Sequence, residues 1–249
     1  MLNQFKLSKH STLPPKKINK SDLLKENRVL IKKLSAIQDK LYAQNKYSVL
    51  IIFQGMDTSG KDSAVKHVFS GVNPAGCKVM SFKVPTPEES AHHFLWRVSA
   101  QTPATGMIQI FNRSHYEEIL MPIVHNTQTI KTLRARCNEI NVFEVGLVNN
   151  NTILLKFYLH ISHTEQLQRL SERQHDKTKQ WKLSEKDVVD INKHDAYKKA
   201  YEFIFDHCWQ NPWIIIPADK KWFKNNQLLK MIVDKLNQYS IEYPTLNKQ

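Results

Sequence analysis

A nine-residue stretch, Gly55 to Ser63, has the residue types and the spacing of a phosphate-binding loop. Two glycines stand five positions apart and a lysine follows the second, as in the pattern G-x-x-x-x-G-K. In such a loop the backbone N–H groups bind phosphate oxygens, the start of the next helix adds partial positive charge, and the lysine adds a full charge. A chance Gly-Lys turn is the alternative. The predicted phosphate-binding residues are Gly55, Thr58, Ser59, Gly60 and Ser63, with Lys61 as a catalytic cation.

Two carboxylates distinguish this loop from the usual pattern. The residue after the lysine is commonly Ser or Thr, whose hydroxyl binds magnesium, but here it is Asp62, and Asp57 lies inside the loop. Carboxylate oxygens are good magnesium ligands. Two acids would repel a phosphate group unless a cation lay between them. We therefore predict that Asp57 and Asp62 bind Mg²⁺, which bridges them to a highly charged phosphate substrate.

The flanking residues predict the elements that position this loop. Val49 to Phe53 form a short apolar run typical of a buried strand, and apolar residues from Ala64 to Phe69 recur at helical spacing. Strands and helices alternate along the chain, which predicts an α/β fold with a parallel sheet covered on both faces. Glu144 is expected on the exposed or salt-bridged face of its helix. Further strands are predicted at 77–82, 107–111, 153–159 and 213–217, and helices at about 21–45, 88–101, 129–148, 195–207 and 224–239.

A polar cluster follows the third predicted strand. Ligands of parallel α/β sheets bind at the carboxyl ends of the strands, so Asn112 and Arg113 should lie beside the phosphate loop. Arg113 can bind phosphate oxygens with two parallel hydrogen bonds. Glu117 has two interpretations, which the sequence leaves open: it reaches the metal through water, or it forms a capping box with Ser114 at the start of the next helix. Pro122 should kink or end that helix.

Residues 165–187 form a second group that is rich in positive charge. Arg169 and Arg173 are four positions apart and therefore share one face of a helix, and lysines follow around Trp181. Arginines on a mobile segment can neutralise charge on a transferring phosphoryl group. This segment, about 165–195, is therefore a candidate lid over the site. A solvated basic helix is the alternative.

Composition limits the class of protein. The chain has 249 residues, of which 41% are hydrophobic, and a net charge of +13, which favours an anionic partner. We divide it into a basic N-terminal arm (1–20), extended and partly mobile, and one domain (21–249). Three widely spaced cysteines fit a reducing cytoplasm. No apolar run reaches the roughly 18 residues of a membrane span.

Six stretches together resemble the polyphosphate kinase 2 family. They are FQGMDTSGKD (53–62), KHVFSGVNPAGCKVMSFKVPTPEE (66–89), FLWRV (94–98), IFNRSHYEEIL (110–120), RLSERQHDKTKQWKLSEKD (169–187) and PWIIIPADKKWF (212–223). The resemblance covers about 20–235. It implies a P-loop three-layer sandwich, similar to thymidylate kinases, with a helical lid. It also implies magnesium-dependent transfer of a terminal phosphate between inorganic polyphosphate and nucleotides.

The resemblance assigns roles to individual residues, and it agrees with the phosphate and metal assignments made above. The residues with implied roles in catalysis are Asp57, Lys61 and Asp62 in the loop, Asn112 and Arg113 at the transfer site, and Arg169 and Arg173 on the lid. We expect further phosphate or nucleotide contacts from Lys83, Arg97, Tyr116, Glu117 and Lys182.

The acceptor is predicted from one position. One branch of the family carries Asp where this chain has Asn112. The Asn resembles the branch that accepts nucleoside monophosphates as well as diphosphates. The physical reason is that a neutral amide repels an incoming α-phosphate less than a carboxylate does. The expected partners are polyphosphate and purine nucleoside mono- and diphosphates, without nucleic acid or membrane, in a homodimer or homotetramer. The alternatives are an ATP-dependent nucleoside monophosphate kinase of the same fold and a non-catalytic nucleic-acid-binding protein.

Overall fold

Five parallel strands form the centre of the computed structural model, which describes residues 4–178, 180–182 and 191–245. Every pair of neighbouring strands is parallel, and their order across the sheet is β2-β3-β1-β4-β5. All residues of β1 are buried, as its apolar run predicts. The strands are β1 (Ser48–Gln54), β2 (Cys77–Ser81), β3 (Ile108–Asn112), β4 (Thr152–His160) and β5 (Trp213–Pro217).

Helices connect these strands and cover the sheet. The first and last helices, α1 and α9, pack against each other, and α9 also contacts α2, β4 and β5. A second group contains α5, α6 and α8, which contact one another. The predicted α/β fold is confirmed. The described helices are α1 (Lys20–Gln44), α2 (Lys61–Val68), α3 (Pro87–Ala91), α4 (Trp96–Ser99), α5 (Glu117–His125), α6 (Ile130–Asn149), α7 (His163–His175), α8 (His194–His207) and α9 (Lys221–Leu236).

The prediction of a single helix at 88–101 is wrong, because this stretch forms two short helices. Thr86 and Glu89 form a capping box that starts α3. His92 then adopts extended dihedrals, φ −97° and ψ 171°, and ends the helix after one turn and a half. Trp96, the first residue of α4, is 44% exposed.

Pro122 lies inside α5 and does not end it. A proline has no N–H to donate to the carbonyl four residues earlier, which here belongs to Glu118. The Glu118 carbonyl instead accepts a hydrogen bond from Nη1 of Arg136, at 2.8 Å. This side-chain donor from α6 replaces the missing backbone bond, and α5 continues to His125.

Glu144 on α6 is salt-bridged, as one of its two interpretations predicts, and it is completely buried rather than exposed. It pairs with Lys156 of β4 at 2.8 Å. The first described residues contact the domain: Leu7 is fully buried, and its N–H donates to Oε1 of Glu202 in α8 at 2.8 Å. The division of the chain into an arm (1–20) and a domain (21–249) stays a prediction. Among the helices in the described ranges, none has the length and hydropathy needed to cross a membrane.

Candidate active site

A cleft of about 620 Å³ opens at the carboxyl edge of the sheet. It brings together all seven residues predicted to be catalytic, from the loop after β1, the end of β3, and α7. Trp181 and Lys221 border it as well, the latter from the carboxyl end of β5. The lining residues are Asp57, Thr58, Gly60, Lys61, Asp62, Ser63, Ser81, Phe82, Lys83, Asn112, Arg113, Arg169, Glu172, Arg173, Trp181 and Lys221.

The loop requires its two glycines. Gly55 has φ +153°, and a Cβ there would lie 2.8 Å from Oγ of Ser59. Gly60 has φ +90°, and a Cβ there would lie 2.7 Å from Nζ of Lys224. Thr58 adopts φ +62°, a left-handed conformation that is costly for a β-branched residue. Backbone strain of this kind concentrates at functional sites, where the surrounding contacts maintain it.

Lys61 is folded back into the loop. Its Nζ donates hydrogen bonds to the carbonyls of Gly55, at 2.7 Å, and Met56, at 3.3 Å. Burial, followed by the nearby Arg113 guanidinium, lowers the pKa of Lys61 to about 8. The ammonium therefore lies beneath the cleft, with only part of its donor capacity used by the loop.

The two loop carboxylates are tied to the end of β3. Oδ1 of Asp57 accepts a hydrogen bond from Nη2 of Arg113 at 3.1 Å, and Oδ1 of Asp62 accepts one from Nδ2 of Asn112 at 2.6 Å. Arg113 has φ +63°, a second left-handed residue at this site. The predicted proximity of Asn112 and Arg113 to the phosphate loop is confirmed.

The donors in the cleft suit magnesium that arrives with its substrate. Within the described residues, no group of three or more His, Cys, Asp or Glu side chains is arranged to hold a metal ion. Magnesium at phosphate sites commonly takes only one or two protein carboxylates and completes its shell with phosphate oxygens and water. Asp57 and Asp62, both lining the cleft, fit that coordination.

Glu117 does not form the capping box. The N-terminal cap of α5 is Tyr116, without any side-chain capping bond, and Oγ of Ser114 accepts the N–H of Tyr116 at 3.3 Å. The Glu117 carboxyl is instead hydrogen-bonded to Gln54 of β1. Burial raises the pKa of Glu117, although Arg113 and Lys61 oppose that effect. The capping-box interpretation is therefore wrong, and a contact of Glu117 with the metal through water stays a prediction.

Arg169 is more buried than a lid residue was expected to be, with its side chain 5% exposed. It makes five hydrogen bonds: its Nε donates to Oε1 of Glu165, Nη1 to the carbonyls of Thr58 and Ser59, and Nη2 to those of Ala218 and Asp219. These bonds join α7 to the phosphate loop and to the end of β5. Its role in catalysis stays a prediction, while its structural role is evident.

Arg173 follows Arg169 by one turn of α7 and borders the open cleft. The two arginines therefore share a helix face, as predicted, but occupy different depths. The side chain of Lys182 lies outside the described residues, as do residues 179 and 183–190 of the predicted lid.

The structure gives two predicted binding residues other partners. Tyr116 is fully buried; its hydroxyl donates to Oε1 of Glu144 and accepts from Nζ of Lys156, both at 2.6 Å. Arg97 lies 3.4 Å from Glu89 and 3.6 Å from Glu118, and it lines a separate pocket. Each side chain therefore has protein partners in the structure, and a contact of either one with substrate stays a prediction.

The remaining predicted phosphate-binding residues differ in whether they line the cleft. Thr58, Gly60 and Ser63 line the cleft, and so does Lys83 after β2. Ser59 is fully buried, and its Oγ has no hydrogen-bond partner within the described residues. Ser59 does not line the cleft.

Three buried residues near the loop were missed. Lys224 of α9 donates from Nζ to the Gly60 carbonyl at 2.7 Å, Gln166 donates to the Asp57 carbonyl at 2.9 Å, and the Tyr201 hydroxyl accepts the Gly55 N–H at 3.2 Å. Tyr201 belongs to a helix rich in aromatic residues, whose spacing is typical of core packing. For Lys224 a signal existed, because the start of α9 follows the carboxyl end of β5, where ligands gather.

Comparison with known proteins agrees with this geometry. The family model described as "Polyphosphate kinase 2 (PPK2)" matches residues 17–244. The AMP/ADP-polyphosphate phosphotransferase of Meiothermus ruber is 41% identical over 218 residues, covering 87% of this chain and 82% of that protein. The ADP-polyphosphate phosphotransferase of Rhodopseudomonas palustris is 37% identical over 233 residues, covering 87% and 80%.

A solved structure is similar over nearly the whole chain. The crystal structure of Polyphosphate Kinase 2 from Arthrobacter aurescens TC1 superposes with a TM-score of 0.94 at 34% identity, covering 99% of this chain and 90% of that one. On the family match and these similarities, this chain belongs to the polyphosphate kinase 2 family.

Proposed function

We propose that this protein is a magnesium-dependent polyphosphate:nucleotide phosphotransferase. It reversibly transfers the terminal phosphate of inorganic polyphosphate to nucleoside mono- and diphosphates, converting AMP and ADP to ADP and ATP. The observation that carries the proposal is the cleft in which the phosphate loop, two carboxylates, Asn112 and the arginines converge. Family membership and the activity named for the Meiothermus ruber relative support it.

The mechanism depends on positioning and charge. Phosphoryl transfer passes through a loose transition state with negative charge spread over the equatorial oxygens. Backbone N–H groups at the start of α2 bind the phosphate, and Lys61, Arg113 and Arg173 neutralise the charge that develops. The acceptor oxygen of a nucleotide phosphate is already ionised, so no general base is needed. Exposed Lys83 and Lys221 extend the positive surface along which a polyphosphate chain would lie.

Magnesium completes this proposal. Asp57 and Asp62 would hold the ion together with substrate phosphates and water. When bound, the ion supplies positive charge that neutralises phosphate oxygens and lets two acids share a site with a polyanion.

Asn112 is proposed to permit monophosphate acceptors, and Asn112→Asp tests this. The substitution replaces the donor that bonds Asp62 at 2.6 Å with a carboxylate, adding negative charge beside the loop. We expect the ratio of kcat/KM for AMP to that for ADP to fall at least about tenfold, equivalent to about 1.4 kcal/mol of differential repulsion. Initial rates with saturating polyphosphate measure it. An unchanged ratio would show that Asn112 does not select the acceptor.

The pKa of Lys61 predicts a pH profile. Below about pH 8 the ammonium is charged and attracts phosphate; as the pH rises through 8 the charge is lost and binding weakens. We expect kcat/KM for polyphosphate to fall about fivefold between pH 8 and pH 9, as for one essential group in the free enzyme. Arginine stays protonated throughout this range, so the residual activity of Lys61→Arg should not fall in the same window. A wild-type profile that is flat to pH 10 would contradict the assignment.

The function itself is tested by separating products after incubation with magnesium, long-chain polyphosphate and either AMP or ADP. ADP and ATP formed from AMP support both the activity and the proposed role of Asn112. ATP formed only from ADP supports the activity and removes that role. Turnover with ATP plus a monophosphate, but none with polyphosphate, would identify the alternative, an ATP-dependent kinase.

Three further proposals concern the assembly, the location and the lid. The homo-oligomer, a dimer or tetramer, rests on the family resemblance, and light scattering on the purified chain tests it. A cytoplasmic location is supported by three free cysteines, Cys77, Cys137 and Cys208. A lid at about 165–195 is supported by the position of Arg173 at the cleft.

A further inference from the structure

Lys224 is a buried lysine that the mechanism above does not use. It lies in the first turn of α9, its side chain is fully buried, and its Nζ donates to the Gly60 carbonyl at 2.7 Å. Within the described ranges of the chain, no salt bridge joins it to a carboxylate. A buried ammonium without a counter-charge is unfavourable for folding. Its presence behind a phosphate loop therefore needs a functional explanation.

The geometry of one peptide unit supplies that explanation. The Gly60 carbonyl and the Lys61 N–H belong to the same planar trans peptide and point in opposite directions. The carbonyl accepts both Nζ of Lys224 and the N–H of Ala64, at 2.9 Å. The Lys61 N–H is thereby directed away from Lys224. As the first residue of α2, Lys61 has no intrahelical acceptor for this N–H.

A neighbouring peptide is held in the same way. Nη1 of Arg169 donates to the Ser59 carbonyl at 3.4 Å, which fixes the orientation of the Gly60 N–H. Lys224 and Arg169 therefore bind consecutive carbonyls of the loop. Lys224 also limits the residue at position 60, because a Cβ there would clash with Nζ of Lys224.

We propose that Lys224 is a positioning residue, which holds the Gly60–Lys61 peptide so that the Lys61 N–H donates to a phosphate group of the substrate. The proposal rests on the proposed function, because that phosphate belongs to polyphosphate or to the nucleotide. Burial, then the charges of Arg169, Lys221 and Lys61, lower the pKa of Lys224 to about 7, with Asp62 opposing them. A polyanion in the cleft would relieve this repulsion.

Lys224→Met tests the proposal, with Lys230→Met as the matched control. Lys230 lies on the same helix and is exposed. Methionine keeps most of the volume of lysine and removes a buried charge, so Tm should stay equal or rise. We expect kcat to fall at least about tenfold, as when one preorganised donor is misplaced, without a matching rise in KM for the nucleotide. Lys230→Met should keep wild-type values.

A second measurement does not depend on turnover. In the ¹H–¹⁵N spectrum of the wild-type protein, inorganic tripolyphosphate with magnesium should shift the Lys61 amide proton downfield, and in Lys224→Met that shift should shrink. Wild-type kcat in the variant, a fall in Tm that accompanies the loss of activity, or no Lys61 shift in the wild type would each overturn the proposal. If the wild type shows no turnover with polyphosphate, the proposed function fails, while the amide shift still decides the role of Lys224.

Discussion

Lys61→Met is expected to lower kcat for phosphoryl transfer at least about 100-fold, the effect of removing one preorganised donor or charge from a transition-state site. The Lys61 ammonium is buried beneath the cleft. The guanidinium groups that line the cleft belong to Arg113, Arg169 and Arg173. Methionine preserves the stem, so the loss should appear in turnover, measured under saturating polyphosphate and nucleotide, more than in Tm.

Lys66→Met is the matched control for this substitution. Lys66 lies on the same helix, one turn and a half further along, and is exposed. The same loss of one positive charge should leave kcat unchanged there. Turnover of Lys61→Met within about threefold of wild type would show that the phosphate loop is not the site of transfer.

Arg169→Met is expected to reduce both stability and activity. The substitution removes five hydrogen bonds. Four backbone carbonyls and Oε1 of Glu165 lose the donor that Arg169 provides. Removing one partner of such a buried charged network costs about 3 kcal/mol. For a domain of this size that corresponds to a fall in Tm of about 6–12 °C, measured by calorimetry. Since Arg169 holds the Thr58 and Ser59 carbonyls, kcat should fall as well.

Arg173→Met separates the two effects. Arg173 lies one turn further along the same face of α7 and borders the open cleft. We expect it to lose kcat, while its Tm stays within about 2 °C of wild type, the range of surface substitutions. If Arg169→Met instead kept the wild-type Tm and lost only activity, Arg169 would be a lid residue, as the sequence predicts, and its bonds to the loop would be dispensable.

Local patterns predicted the strands, the loop and most of the helices. β5 has the predicted bounds, Trp213–Pro217, and α1 begins and ends within one residue of its predicted bounds. The convergence of Asn112 and Arg113 with the phosphate loop was predictable because strand ends of a parallel sheet share one edge. These inferences need only periodicity, glycine spacing and topology.

Side-chain partners distant in sequence were not predictable. The choice for Glu117 depended on Gln54, and the burial of Arg169 depended on carbonyls at Thr58 and Ala218. Helical spacing places Arg169 and Arg173 on one face but says nothing about the depth of each in the fold. In the same way, Tyr116 lies within a motif of the site, yet its hydroxyl meets Glu144, a residue 28 positions away.

In the proposed reaction a phosphoryl group passes from polyphosphate directly to a nucleotide. A ³¹P NMR time course of the wild-type protein with magnesium, polyphosphate and AMP tests this transfer. We expect the β-phosphate signal of ADP to grow as internal polyphosphate signal is lost, without a matching rise in orthophosphate. Orthophosphate accumulating without ADP, or a spectrum that does not change, would contradict the proposed transfer.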